Sequence, residues 1–368
     1  MLLAFVVYFS LILLAEIPVL KINLKPYPGL WENRAVINKI QLWLPLILIA
    51  IILGFRDGVG VDFYSYRYLY ITQDQPDAFS EVPEFGFKAI YQLLNLIGLP
   101  FPIALSVINI IAFYSVYRGI HDYPGKIWII LFLFLTGQLF FFLNITRQGL
   151  ALFVLVFALN EYCKHNIWKF VILVGIAYSF HFSSILFLIV PLLPKFKAIL
   201  NFRFIIILSI LIFSIFGSVI FGYIVNGIVE IMNHTHYARY GTLLFSWEME
   251  TGSGIGALLQ PLSAILVFVN LRGFRKYYKY RYDLLLLIYL TGTLMSLTFG
   301  NSLLLSRIVF LFISFQFIVF GLFINYLLSN NKILYHIEAY FFLFLYFSYY
   351  IGMILLHNNG CSPYKFCF

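Results

Sequence analysis

The sequence predicts an all-α fold: a polytopic transmembrane helical bundle of about 12 spans (between about 10 and 13), forming a single domain over residues 1–368. Hydrophobic residues make up 62% of the chain, charged residues only 11%, and the mean hydropathy is +0.93. The apolar runs are long and continuous, not alternating over segments of about ten residues, which favours helices over a barrel. Each crossing needs about 20 apolar residues.

The apolar runs place spans along the whole chain. The first, MLLAFVVYFSLILLAEIPVL, has no basic start and no small-residue cleavage site, and Lys21 and Lys25 follow it. We therefore interpret it as a retained span and not a signal peptide. The predicted spans are 2–20, 36–54, 101–118, 127–143, 148–163, 168–180, 183–194, 203–227, 255–271, 284–299, 304–328 and 333–356.

Two stretches are too short or too mixed for an ordinary span. Residues 84–98, EFGFKAIYQLLNLIG, predict a helix that lies at the membrane interface. The segments on either side of His181 predict either two half-helices that meet near one face or one bent helix. Counting 168–194 as one crossing would invert the orientation of everything that follows.

Charge predicts the orientation. The twelve-span reading puts 17 of the 24 basic residues on one side, which the positive-inside rule makes the cytoplasm, so both termini face outward. These residues are Lys21, Lys25, Arg34, Lys39, Arg118, Lys126, Lys164, Lys169, Lys195, Lys197, Arg203, Arg272, Arg275, Lys276, Lys279, Arg281 and Lys332. The two largest outward loops, 55–83 and 228–254, instead collect acidic residues: Asp57, Asp62, Asp74, Asp77, Glu81, Glu230, Glu248 and Glu250.

Several function classes are disfavoured. The net charge of +9 is explained by cytoplasmic loops, so we expect no nucleic-acid partner. The sequence shows no Walker loop and no metal-ligand cluster, and we expect no cofactor and no metal; His234 and His236 lie in a polar loop. Cys361 and Cys367, six residues apart, can pair if the tail faces an oxidising compartment.

Five arginines fall on the predicted outward side, against the positive-inside trend: Arg56, Arg67, Arg147, Arg239 and Arg307. A guanidinium group pairs two oxygens of a phosphate at once, and helix N-termini add partial positive charge. Arg147, followed by Gln148, and Arg307 lie in the first turns of predicted spans. The set predicts a pyrophosphate site at the outer interface; the alternative for each arginine is snorkelling or an ion pair with a nearby acid.

The stretch FRDGVGVDFYSYRYLY begins the first outward loop. Gly58 and Gly60 allow a tight turn between Asp57 and Asp62. The tyrosines that follow, beginning with Tyr64, form an aromatic ladder. Carboxylates beside aromatic faces suit sugars, although an interfacial aromatic belt with Asp57 paired to Arg56 explains the same residues.

His181 is the only histidine inside the apolar stretch 168–194. A neutral imidazole can take a proton from a sugar hydroxyl at neutral pH, as a glycosyl acceptor requires. The alternative is a buried histidine that bonds a neighbouring helix.

These segments resemble the EpsG family of bacterial exopolysaccharide polymerases, a branch of the Wzy-type polymerases. The resemblance covers most of the chain, in the family's order, with Val61 as one departure where a small hydroxylated residue is expected. The matching segments are FRDGVGVDFYSY, NITRQGLALFVLVFAL, WKFVILVGIAYSFHFSSILFLIVPLL, HYARYGTLLFS, SRIVFLFISFQFIV and NNGCSPYKF.

The resemblance implies a glycosyltransferase of the bacterial inner membrane. Its substrates would be undecaprenyl-pyrophosphate-linked oligosaccharide repeat units, delivered by a flippase, and the growing chain would pass to the incoming unit on the outer face. A chain-length regulator and membrane lipids are further implied partners, and the product would be an O-antigen, capsule or exopolysaccharide. No metal is implied.

For this reaction we expect Arg147 and Arg307 to stabilise the leaving pyrophosphate, with Arg56 and Arg239 as helpers. His181 is the first candidate base and Asp62 the second. Three alternatives stay open: an O-antigen ligase-like transferase, a transporter or flippase of lipid-linked sugars, and a membrane O-acyltransferase. A transporter predicts internal repeats, of which the sequence shows none, and an acyltransferase predicts a cytoplasmic site.

Overall fold

The structure is a computed structural model that describes residues 1–16, 34–73, 84–123, 127–233, 255–300, 302–357 and 360–367. Over these residues it contains fifteen α-helices, one long 3-10 helix and no strand; one isolated bridge joins Arg56 to Phe366. The all-α class predicted from the continuous apolar runs is confirmed.

The chain forms two compact units. The first comprises Met1–Ile185 and Tyr346–Phe368, the second Leu186–Leu345. In chain order, the helices are α1 (Leu2–Glu16), α2 (Arg34–Gly54), α3 (Phe63–Ile71), α4 (Phe85–Leu96), α5 (Phe101–Ile120), α6 (Ile127–Asn144), α7 (Thr146–Cys163), α8 (Ile167–Phe180), the 3-10 helix (Phe182–Asn201), α9 (Arg203–Asn233), α10 (Ile255–Val269), α11 (Leu271–Tyr277), α12 (Asp283–Phe299), α13 (Leu303–Ile313), α14 (Gln316–Leu328) and α15 (Ile333–Leu355).

Apolar helices long enough to cross a bilayer identify a membrane protein. Among the described residues there are six: Phe101–Ile120, Ile127–Asn144, Phe182–Asn201, Arg203–Ile224, Leu305–Leu328 and Ile333–Leu355. Five further apolar helices are shorter, and the total of about 12 spans stays a prediction. The orientation in the bilayer also stays a prediction.

Most predicted segments return as helices, with two differences. Residues 183–194 belong to a 20-residue 3-10 helix that continues to Asn201 and contains Pro191 and Pro194. Residues 84–98 contain a helix, as predicted, and its place at the interface stays a prediction. Two short helices, α3 and α11, were not predicted, because their polar and aromatic residues were interpreted as loops.

Small residues let the helices of the first unit approach closely. A Cβ atom on Gly54 of α2 would lie 1.9 Å from Ser106 Oγ of α5, and one on Gly119 of α5 would lie 2.5 Å from the Val156 side chain of α7. Close backbone approach of this kind is how helices gain packing energy where the surroundings are apolar. These contacts fix α5 between α2 and α7.

The C-terminal tail packs back onto the turn that precedes α3. The backbone N–H groups of Asp57 and Gly60 donate to the carbonyls of Lys365 and Gly360, each at 2.9 Å, and Cys367 N–H donates to Phe55 O at 3.0 Å. The Tyr364 hydroxyl donates to Ile52 O at 2.7 Å. Cys361 is buried and Cys367 exposed, and no disulfide joins them. The tail thereby satisfies backbone groups that an isolated loop would leave to water.

Candidate active site

Helices α3 and α4 pack against each other through aromatic rings. The residue spacing of a helix sorts the tyrosines of α3: Tyr66 and Tyr70 are buried, whereas Tyr64 and Tyr68 are exposed, so they do not form one ladder. Phe87 and Tyr91 of α4 receive the buried pair, with ring centroids 5.8 Å apart for Tyr66–Phe87 and 5.2 Å for Tyr70–Tyr91. This packing fixes the start of α4.

Glu84 lies at the N-cap position of α4 and has only 5% of its surface exposed. Its two carboxylate oxygens have different partners: Oε2 lies 2.6 Å from Arg147 Nη1, and Oε1 lies 3.1 Å from His181 Nδ1. A buried carboxylate needs such partners, because removing an unpaired charge from water is costly. One side chain therefore joins two residues that the sequence singled out separately.

Arg147 enters the site from the first turn of α7. Its backbone N–H, one of the groups that helix geometry leaves without an intrahelical partner, donates to the Tyr66 hydroxyl at 3.5 Å. About a quarter of its side chain is exposed (26%), so Arg147 is the most accessible member of the group. A helix N-terminus and a partly exposed guanidinium at the same point favour an oxyanion of a ligand.

His181 enters from the break between α8 and the 3-10 helix. Its backbone is extended (φ −159°, ψ 121°), and its N–H donates to Ala177 O at 2.9 Å. The side chain is 13% exposed. When Nδ1–H donates to an ionised Glu84, Nε2 carries the lone pair and can accept a proton. The short segments around this histidine thus form two helices that meet at it.

The pair of contacts keeps Glu84 ionised. Glu84 lies outside the candidate membrane spans. Burial raises the pKa of its carboxyl, but the hydrogen bond from His181 and the charge of Arg147 outweigh burial and hold the pKa below its ordinary value of 4.5. At neutral pH the carboxylate is therefore available to both partners.

A close contact between α4 and α8 brings Glu84 to His181. A Cβ atom on Gly86 would lie 2.1 Å from Ser179 Oγ and 2.9 Å from Ser179 O. Only glycine allows this approach without a shift of one helix. Because Gly86 follows Glu84 by two residues and Ser179 precedes His181 by two, this contact sets the distance across the pair.

Asp62 reaches the same network through Tyr66. It occupies the N-cap position of α3, one turn before Tyr66, and interacts electrostatically with the Tyr66 hydroxyl. Tyr66 in turn contacts Arg147. The structure thus brings three predicted residues, Asp62, Arg147 and His181, into one region of the first unit. They meet through Tyr66, which the sequence assigns only to the aromatic ladder, and Glu84, which it does not single out.

Asp57 and Tyr64 lie at the surface beside this region. Asp57 Oδ1 lies 3.4 Å from Arg67 Nη1, both side chains being well exposed. Gly58 has a φ of +63° and faces the Tyr64 hydroxyl, which would be 2.6 Å from an added Cβ atom. The tight turn predicted from the two glycines is present, but Asp57 pairs with Arg67 and not with Arg56.

Arg56 is buried, with 1% of its surface exposed. Its Nη2 donates to Leu143 O at 3.2 Å at the C-terminal end of α6, and its charge centre lies 5.9 Å from the Phe63 ring centroid. Nε and Nη1 have no hydrogen-bond partner among the described residues. This position beneath the tail favours a supporting role at the junction of α6 and α7, next to Arg147, over direct contact with a ligand.

Two of the predicted arginines remain. Arg307 is exposed on α13 of the second unit. Arg239 lies outside the described residues. No group of His, Cys, Asp and Glu suited to a metal occurs within the described part of the chain.

Comparison with known proteins identifies the family of the chain. A family model described as EpsG family matches residues 39–366, which is most of the sequence. The chain belongs to the EpsG family. This family is associated with polysaccharide polymerase-like proteins. No curated protein and no solved structure matches the chain.

Membership accounts for the coarse function. An EpsG-family chain with six long apolar helices among its described residues is a membrane protein of polysaccharide biosynthesis, as predicted from the sequence. The matched range includes every residue of the Glu84–Arg147–His181 group. The order of motifs along the chain could suggest the family, but only the fold joins these three residues.

Proposed function

We propose that this chain is a membrane glycosyltransferase that polymerises oligosaccharide repeat units carried on undecaprenyl pyrophosphate. The observation that carries the proposal is that one buried carboxylate, Glu84, contacts both a partly exposed arginine and Nδ1 of a histidine. Transfer of a glycan from a diphosphate to a hydroxyl needs a cation for the leaving group and a base for the acceptor.

In the proposed step, His181 Nε2 takes the proton of the acceptor hydroxyl as its oxygen attacks the anomeric carbon of the growing chain. The bond from that carbon to the diphosphate oxygen breaks with its electron pair, and Arg147 stabilises the anion that leaves. Glu84 holds the imidazole in the tautomer that accepts at Nε2 and orients the guanidinium. His181 and Arg147 contact the two oxygens of one carboxylate. The base and the cation are therefore separated only by these two contacts and the Glu84 carboxylate between them.

We further propose that the site opens outward in the bacterial inner membrane, with Asp62 and Tyr64 toward the sugar and with Arg307 and Arg239 as further phosphate contacts. A flippase would supply the substrate and a regulator would set the chain length. The support is the agreement between hydropathy and charge along the sequence, and the family membership.

The test is complementation of a deletion in the native host, followed by gel analysis of the surface polysaccharide. We expect Arg147→Ala and His181→Ala to lower polymer yield by about 10²-fold or more, leaving single repeat units. Arg118→Ala and His121→Ala are matched controls, because both residues are exposed. They lie at the C-terminal end of α5, which is about 30 Å long.

Each outcome separates the candidate classes. Normal ladders from inserted Arg147→Ala and His181→Ala variants would refute the assigned roles. In the deletion strain, a collapse from ladder to single units marks a polymerase, whereas loss of every surface unit points to transport or ligation.

A further inference from the structure

In the second unit, α11 and the turn that joins it to α12 carry four exposed cations. We call Arg272, Lys276, Lys279 and Arg281 the basic turn. Arg272 and Lys276 lie four residues apart on the outward side of α11, opposite the buried Leu271 and Phe274. None of the four forms an ion pair in the part of the chain that the structure describes.

The acidic residue that follows the basic turn, Asp283, is already paired with another arginine. Asp283 accepts two hydrogen bonds, each of 2.8 Å, from Nε and Nη2 of the buried Arg275. Arg275 Nη1 also donates to Leu200 O at 3.0 Å and to Asn201 Oδ1 at 2.9 Å. Arg275 is therefore the structural member of this cluster, and the four exposed cations keep a net positive charge that an external anion can neutralise.

The basic turn lies at the end of a candidate membrane span. Phe274 packs on Phe323 with ring centroids 6.4 Å apart, and the Tyr278 hydroxyl donates to Leu322 O at 2.9 Å. Both partners belong to α14, the C-terminal half of the candidate span Leu305–Leu328. The end of a span lies at the level of lipid headgroups, where tyrosines are also enriched. Tyr277 and Tyr280, 47% and 60% exposed, flank the cations.

The backbone of the turn is strained. Lys279 and Tyr280 are consecutive non-glycine residues with positive φ, 52° and 64°. L-residues disfavour this conformation, and strained residues that the surroundings maintain cluster at binding sites. Here Tyr280 N–H donates to Arg275 O at 2.8 Å, which keeps Lys279 on the exposed side of the fixed α11–α12 corner.

We propose that the basic turn is a binding site for the phosphate headgroups of anionic phospholipids in the leaflet that it faces. The two cations of α11 and the two beyond it supply the charge, and the flanking tyrosines supply the amphipathic rings of a headgroup boundary. The site lies in a different unit from the Glu84 group and does not depend on the proposed reaction.

Native mass spectrometry of the full-length protein in detergent tests the site, with phosphatidylglycerol and phosphatidylcholine of equal chain length as probes. We expect the wild type to prefer phosphatidylglycerol, and Arg272→Gln/Lys276→Gln to lose affinity for it, by about fivefold for each charge removed. Arg118→Gln/Lys169→Gln removes two exposed cations of the first unit and should leave the preference unchanged.

Lys279→Asn is the second variant, because asparagine tolerates positive φ and removes only the charge. Its affinity for phosphatidylglycerol should also fall about fivefold. Equal binding of the two lipids by the wild type would overturn the proposal, as would an unchanged preference in Lys279→Asn. Complete displacement of the lipid by inorganic phosphate would equally overturn it, since the site would then take free phosphate and not a headgroup.

Discussion

Glu84 Oε1 lies 3.1 Å from His181 Nδ1, although 97 residues separate them along the chain. Glu84→Gln keeps the size of the side chain but removes the charge that favours Nδ1–H and pairs with Arg147. We therefore expect polymer yield to fall by about 10²-fold while the protein still inserts and elutes as the wild type does. Gel analysis of the polysaccharide measures it.

Glu230→Gln is the control for this change, because Glu230 is exposed on α9 in the second unit. It should leave the ladder intact. Full activity of Glu84→Gln would exclude Glu84 from the mechanism, regardless of the results for the His181 and Arg147 variants.

The lowered pKa of Glu84 makes a prediction about pH and stability. The folded state favours the ionised carboxyl, so its contribution to stability is present above the ordinary pKa of 4.5 and is lost as the pH falls through the lower folded value. The difference in melting temperature between wild type and Glu84→Gln should be constant from about pH 7 to about pH 5 and should shrink only in stronger acid. Thermal unfolding in detergent measures it, and a difference that disappears near pH 6 would contradict the pairing described here.

Gly86→Ala tests the contact that sets the Glu84–His181 distance. The added methyl would meet Ser179 Oγ at 2.1 Å and its carbonyl oxygen at 2.9 Å, so α4 must move away from α8. We expect a loss of about 1–3 kcal/mol in stability and a fall in polymer yield. Thermal unfolding and the polysaccharide ladder report the two effects.

Gly175→Ala on α8 is the matched control, because a Cβ atom there meets nothing within 4 Å. Alanine is the better helix former, so this variant should be unchanged or slightly more stable. If both variants behave alike, the Gly86 contact does not position Glu84.

The sequence identifies a residue of the candidate site when that residue is unusual in its own local sequence. Arg147 and His181 could be found because ionisable groups in apolar runs are costly and therefore conspicuous. Glu84 begins the predicted helix 84–98 but could not be singled out, because glutamate is not a preferred N-cap residue and its two partners lie 63 and 97 residues away along the chain. Its importance depends on packing between α4, α7 and α8, which no local pattern reports.

For Tyr66 and Arg56, the sequence pattern predicts a different environment from the one that the structure shows. The alternation of tyrosines along the sequence predicts an aromatic ladder that includes Tyr66, whereas the helical spacing of α3 turns Tyr66 toward Arg147. Arg56 was grouped with the outward arginines, but the tail that buries it lies about 310 residues further along the chain, and only tertiary structure brings the two together.

The C-terminal tail predicts a stability effect far from its own sequence position. Tyr364→Phe removes the hydroxyl that donates to Ile52 O and leaves that carbonyl without this partner at the end of α2. We expect a loss of about 1 kcal/mol in thermal or denaturant unfolding. Tyr349→Phe is the control, since no hydrogen bond of its hydroxyl occurs among the described residues; a loss of equal size in the control would contradict the role of the tail.

The ion pair of Arg275 and Asp283 should be strongly coupled, because both side chains are largely buried, at 9% and 14% exposure, and the pairing is bidentate. Removing either partner leaves a charge with poor solvation, so we expect Arg275→Met and Asp283→Asn each to destabilise the protein by about 3 kcal/mol. Arg275→Lys should not restore stability, since an ammonium group cannot reproduce the planar fork that bonds Asp283, Leu200 O and Asn201 together. A double-mutant cycle on melting in detergent measures the coupling. Strict additivity of the two single changes would mean that the corner between α11 and α12 is held by the Phe274 and Tyr278 contacts and not by this pair.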